Sequence, residues 1–173
     1  MRRRLAVALA LLALAGACGK KRPLTQNLAV ENKVAVRPVV LYFERADMYL
    51  GREQRNLPLP EKPAAALGLV VHELLKASPV FPRDSVVRAT FLLPDGTAFV
   101  DLGGPTLTQG WGTGSHEELM AVYSIVSTVT TNFPEAKRVR ILINGEPADT
   151  LAGHVSLKQS LVPMPSLIRP PPG

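Results

Sequence analysis

Cys18 is the only cysteine in the 173-residue chain, so no intrachain disulfide can staple whatever it folds into. Stability must therefore come from an apolar core, and the chain is long enough to supply one. A domain of about 150 residues buries roughly two-thirds of the surface that its unfolded chain exposes. The length predicts one domain.

The residues before Cys18 give it a separate task. Arg2, Arg3 and Arg4 form a basic cluster, an apolar run extends from Leu5 to Ala17, and the small residues Ala15, Gly16 and Ala17 stand just before the cysteine. A positive n-region, a short apolar run and a small-residue cleavage site make a secretion signal over residues 1–17. A thirteen-residue helix spans roughly 20 Å, too short for the ~30 Å hydrocarbon core of a bilayer. Anchoring by lipid is the alternative to anchoring by span. The segment Leu14-Ala15-Gly16-Ala17-Cys18 resembles the bacterial lipobox, in which the cysteine becomes the lipidated N-terminus of the mature protein. The expected location is the cell membrane, on its extracytoplasmic side, periplasmic or cell-surface.

Removal of residues 1–17 leaves 156 residues, and loss of Arg2, Arg3 and Arg4 takes the formal charge from +6 to +3. That balance does not call for a nucleic-acid partner. Lys20, Lys21 and Arg22 follow the cysteine directly. There they either meet anionic headgroups, at roughly 1 kcal/mol each, or form part of a solvated linker. Residues 18–33 are polar and without period, a tether that reaches at most about 50 Å.

Beyond the tether the pattern becomes regular. Val34 to Phe43 is β-branched and aromatic and predicts a strand, with Pro38 marking its entrance or an edge. Pro63 suits the first turn of a helix on which Leu67, Val70, Val71, Leu74 and Leu75 recur at helical spacing until Ser78-Pro79. Val86 to Leu93 alternates, with Val87, Ala89, Phe91 and Leu93 on one face. Pro94-Asp95-Gly96 then turns the chain into Ala98 to Leu102, which predicts a hairpin. After a glycine-rich loop from Gly103 to Gly114, Ser115 and Glu118 have the spacing of a capping box. The helix that follows carries an apolar stripe of Leu119, Val122, Tyr123, Val126, Val129 and Phe133, with Ser124, Ser127, Thr128 and Thr131 elsewhere on its circumference. Val139 to Ile143 is the last strand, closed by Asn144-Gly145. The order β-α-β-β-α-β predicts an α+β fold over residues 34–162, a mixed sheet with two helices packed on one face. From Pro163 the chain is proline-rich and predicts an extended or disordered tail.

From about Val39 to Leu161 this pattern resembles the GerMN domain, the sporulation and spore germination domain of bacterial envelope proteins. The residues that carry the resemblance are Ala66-Leu67, Glu73-Leu74-Leu75-Lys76 and Pro79; Asp95-Gly96 and Val100-Asp101; and Glu118-Leu119 with Tyr123-Ser124-Ile125-Val126. Its end matches in Phe133-Pro134, Val139, Ile141, Asn144-Gly145 and Thr150-Leu151-Ala152-Gly153-His154. The resemblance implies a membrane-anchored or secreted protein with a ring-building-motif-like fold. It implies no known catalytic activity, and a role as a protein-contact module of an envelope complex, self-association included.

The residues themselves argue for little chemistry. His72, His116 and His154 lie in different elements, and His72-Glu73 starts H-E-x-x-K, with Lys76 where a zinc-binding helix needs its second histidine. No metal or other cofactor is expected. His116 is read as an exposed first-turn residue and His154 as a turn or packing residue. Gly112-Thr113-Gly114-Ser115 at a helix start has the geometry to cradle an anion, but Glu117 and Glu118 already place negative charge in that turn and favour self-capping. Cys18 is blocked by acylation, no G-x-S-x-G elbow is present, and Glu73, Asp101 and Glu117 form no distinctive acid set. No catalytic residue is expected. Trp111, the sole tryptophan, stands between Gly110 and Gly112. It either folds back over the core to pin its loop, or anchors a protein partner or a sugar ring.

These features predict a non-enzymatic, lipid-anchored envelope protein that presents a surface to protein partners. A cell-wall glycan-binding module acting through Trp111 is the alternative.

Overall fold

A computed structural model describes residues 34–170. The expected signal segment 1–17, Cys18, the expected tether to residue 33 and residues 171–173 lie outside the described residues. Two sheets and three helices build an α+β fold. In chain order the elements are β1 (Val34–Glu44), β2 (Leu50–Pro60), α1 (Pro63–Ala77), β3 (Val86–Leu92), β4 (Thr97–Gly103), α2 (Pro105–Gln109), α3 (Ser115–Asn132), β5 (Arg138–Ile143) and β6 (Glu146–Pro147).

The mixed sheet runs β3-β4-β5-β6, with β4 and β5 parallel and the other pairs antiparallel. One of its faces is the core. Ala98, Val100 and Leu102 of β4 stand beside Val139, Ile141 and Ile143 of β5, and α1 and α3 pack over them. The helices approach closely. Thr90 Oγ1 donates to the Ala64 carbonyl at 2.7 Å, and a Cβ on Gly68 would meet that same oxygen at 2.9 Å, so this contact requires glycine.

β3 faces the core differently from the alternation read in its sequence. A bulge at Arg88 shifts the register between Val87, opposite Leu102, and Ala89, opposite Asp101. Thr90 and Leu92 consequently turn inward, while Ala89, Phe91 and Leu93 turn out, and Phe91 is 55 % exposed. Arg88 itself reaches Asp101 Oδ2 at 3.3 Å.

The first strand does not enter this sheet. It pairs along its whole length with β2 in an antiparallel ribbon. The sequence reading places no element between Phe43 and Pro63; Pro58 and Pro60 are tolerated in β2 because its partner along its length is β1 in a two-stranded ribbon. The other edge of β1 faces α3, whose side chains replace a neighbouring strand. Val40 N–H donates to Asn132 Oδ1 at 2.8 Å, Asn132 Nδ2 donates to the Val40 carbonyl at 2.6 Å, and Tyr42 N–H donates to Thr128 Oγ1 at 3.1 Å. Buried backbone groups that a sheet would have paired are thus satisfied by a helix. This contact also explains why Ser124, Ser127 and Thr128 are buried rather than facing solvent, since α3 has β1 on one side and α1 and β5 on others.

The loop before α3 contains a further short helix, α2, which seats Leu107 in the core. At the other end, Asn144 and Gly145 both adopt positive φ and turn the chain from β5 into β6. The chain then returns to pair Leu161 with Val139. The proline-rich segment meets the start of β2 through Ile168 and Arg169. Ile168 bridges Leu50, Arg169 N–H donates to the Leu50 carbonyl at 3.0 Å, and the Arg169 guanidinium pairs with Asp47. The free edge at the start of β2 supplies the partner that its prolines cannot supply for themselves.

Candidate interaction site

The loop that carries Trp111 is fixed at several points. Asp84 Oδ2 accepts the Thr106 N–H at 2.8 Å, Asn144 Nδ2 donates to Thr108 Oγ1 at 2.9 Å, and Leu107 is buried. The Thr106 amide holds the Asp84 carboxyl below the ordinary aspartate value. Gly110, at φ 108°, then turns the chain so that Trp111 stacks on Phe81 with ring centroids 6.1 Å apart and planes at 24°. Phe81 is buried and Trp111 half-buried.

Trp111 is covered on one side and open on the other. It packs against the core through Phe81, and it also lines an open cavity of ≈ 580 Å³ with Pro79, Pro82, Arg83 and Thr106. This aromatic and proline shelf stands beside one arginine and one aspartate, Arg83 and Asp84. Among the described residues no histidine lines it.

The histidines remain apart, and no cluster of three metal-ligating side chains occurs among the described residues. His116 is not the exposed residue expected. It is half-buried, and its Nε2 lies 2.7 Å from Glu44 Oε1, which joins the start of α3 to the end of β1. His72 is exposed on α1, and His154 lies in the loop after β6.

The capping box does not form. Gly114 is the N-cap, Ser115 lies within the helix, and no side chain caps the helix start. Glu118 is instead fully buried and turned toward the C-terminal loop. Its Oε1 accepts the N–H groups of Leu151 (2.9 Å) and Ala152 (2.7 Å), and its Oε2 accepts the N–H of His154 (2.6 Å) and lies 3.0 Å from His154 Nδ1. Burial pushes the Glu118 carboxyl up, but the amides of Ala152, His154, Leu151 and Val155 outweigh burial and hold it below the ordinary glutamate value. The sequence does carry a signal for this. Glu118 falls on the same helical stripe as Val122, Ile125 and Val129, and an acid in a buried stripe has to find internal donors.

Comparison with known proteins agrees with this architecture. The Germane family model, described as sporulation and spore germination, matches residues 40–149, more than half of the chain. The chain belongs to that family, whose GerMN domain is also what its fold resembles. A Clostridium perfringens protein described as a lipoprotein matches with a TM-score of 0.53 at 16 % identity, over 78 % of this chain and 94 % of that one. The first GerMN domain of the sporulation protein GerM from Bacillus subtilis matches with a TM-score of 0.52 at 23 % identity, over 73 % and 97 %. The tandem GerMN domains of that protein match with a TM-score of 0.51 at 22 % identity; this chain spans 46 % of their length. No curated protein sequence matches the chain. Among the described residues no helix is long and apolar enough to cross a membrane.

Proposed function

We propose that this protein is a non-enzymatic, lipid-anchored component of the cell envelope whose GerMN domain acts as a protein-interaction or scaffold module. The observation that carries the reading is the layout of the N-terminus. A basic cluster, an apolar run and a lipobox-like segment end at Cys18, fifteen residues before the first strand of the domain. The description of the Clostridium perfringens relative as a lipoprotein supports it. Acyl chains contribute about 0.8 kcal/mol per buried CH₂, so two or three chains hold the domain stably at a bilayer. Membrane fractionation of Cys18→Ser tests the anchor: the variant should move to the soluble fraction, and retention as tight as that of the parent would refute it. Cross-linking in intact cells tests the scaffold role by recovering either envelope proteins or a second copy of this chain.

A second reading, a module that binds cell-wall glycan, is favoured by one observation, the Trp111–Phe81 shelf beside an open cavity. Titration of peptidoglycan fragments against Trp111 fluorescence separates the two readings. A saturable change supports glycan contact, and a flat response at high ligand concentration counts against it.

A further inference from the structure

The last turns of α1 and the segment that leads to β3 bring three basic side chains to one cavity of ≈ 300 Å³. His72 and Lys76 stand one turn apart on the helix, Arg83 enters from the connecting segment, and Leu75, Pro82 and Ser85 complete the wall. Among the described residues no acid lines this cavity, and one, Asp84, lines the neighbouring cavity beside Trp111. Among the described residues none of the three basic groups forms an ion pair, as is also true of Arg37, Arg52, Lys62, Lys137 and Arg140. Of the acids nearest in sequence, Glu73 stands beside His72 on α1 but outside the cavity lining, and the Asp84 carboxylate accepts the Thr106 N–H.

Helix geometry accounts for Lys76, since a cation in the last turn suits the helix carbonyls. It does not account for Arg83. Like charges brought together without a counter-charge repel, and an anion relieves that repulsion. A separate observation points the same way. Ser85 Oγ is buried and has no hydrogen-bond partner among the described residues, and Ser85 is part of the wall of this basic cavity.

This cavity adjoins the Trp111 shelf, because Pro82 and Arg83 line both. We propose that the two form one site for an acidic glycan. A sugar ring lies on Trp111, and its carboxylate or phosphate oxyanion is held by Arg83, Lys76 and His72 with Ser85 donating. The glycan half rests on the second reading of Trp111; the oxyanion half does not.

The test titrates the full chain, purified in detergent, with N-acetylglucosamine, N-acetylmuramic acid, N-acetylglucosamine 6-phosphate and inorganic phosphate. The three sugars share a ring and differ in bearing no acid, a carboxylate or a phosphate. Trp111 fluorescence and the amide NMR shifts of residues 76–85 are the readouts. Both acidic sugars should bind about tenfold more tightly than the neutral one. The double variant His72→Gln/Lys76→Gln, at two residues that line the basic cavity and not the Trp111 cavity, should collapse that gap and leave neutral-sugar binding unchanged, and the acidic sugar that gains more identifies the natural oxyanion. Equal binding of neutral and acidic sugars, or a gap that survives the double variant, overturns the oxyanion site and leaves the Trp111 reading standing. Phosphate shifts at residues 76–85 with no gain from any sugar ring overturn the glycan half and that reading with it. Silence of all four probes overturns both.

Discussion

Glu118 and His154 lie 36 residues apart in sequence and are joined twice: Glu118 Oε2 accepts the His154 N–H at 2.6 Å and lies 3.0 Å from its ring Nδ1. With the Leu151 and Ala152 amides on Oε1, one buried carboxylate organises the loop that follows β6. Gly153, at φ 104°, provides the turn that lets neighbouring amides converge on the carboxylate. The Glu118-Leu119 pair and the Thr150-to-His154 run, two separate carriers of the family resemblance, are thus one structural unit.

Glu118→Ala removes the acceptor and leaves buried amides unpaired. The expected cost is about 3 kcal/mol, which lowers Tm by roughly 10 °C in a domain of this size. Differential scanning calorimetry measures it, and a Tm within about 2 °C of the parent would show that the loop is held by its apolar contacts alone.

The same carboxylate makes the fold acid-sensitive with a definite sign. Its folded pKa lies below the ordinary glutamate value of 4.5. Its contribution is therefore fully present above that value and is lost as pH falls from it through the lower folded pKa. Urea unfolding between neutral pH and pH 3 should show stability falling at the acid end in the parent. The fall should be smaller in Glu118→Gln, which keeps the side-chain volume and removes the titration. Parallel curves would assign the acid sensitivity to other carboxylates, of which Asp47, Asp84 and Asp95 are also held below their ordinary value.

Asn132 and Val40 bind each other as two strands would, and Asn132→Leu breaks both bonds while keeping similar volume. The expected loss is about 2 kcal/mol. Amide exchange gives the sharper readout, because the Val40 N–H should lose protection while the Val100 N–H in the mixed sheet keeps its own. Equal protection in both proteins would mean that the edge of β1 does not depend on α3.

The fluorescence of Trp111 reports on its own loop, since no other tryptophan exists. Phe81→Leu preserves most of the apolar volume but removes the stacked ring, so emission should shift to the red and acrylamide quenching should rise. Unchanged emission at unchanged far-UV circular dichroism would show that the shelf holds Trp111 without Phe81.

Much of the fold is legible in the sequence because periodicity and turn chemistry agree. α1, α3, the β3–β4 hairpin and β5 arise from apolar repeats bounded by Pro63, Pro94-Asp95-Gly96 and Asn144-Gly145. What is not legible depends on tertiary partners. No element is read between Phe43 and Pro63, and β2, which carries Pro58 and Pro60, is a strand through its pairing with β1. The face of β3 reverses at a bulge that nothing in Val86 to Leu93 announces. Glu118 fits a local capping pattern, yet the amides of a loop more than thirty residues away win it. Trp111 is conspicuous in the sequence; Phe81, Arg83 and Ser85, which give it a setting, acquire meaning only when α1 and α2 bring them together.

The mass of the N-terminal peptide of the mature protein, isolated from the membranes of the native host, tests the central claim most directly. The account predicts a chain that begins at Cys18 and carries acyl chains on a thioether-linked glycerol. A chain that begins elsewhere, or a Cys18 with a free thiol, would contradict it.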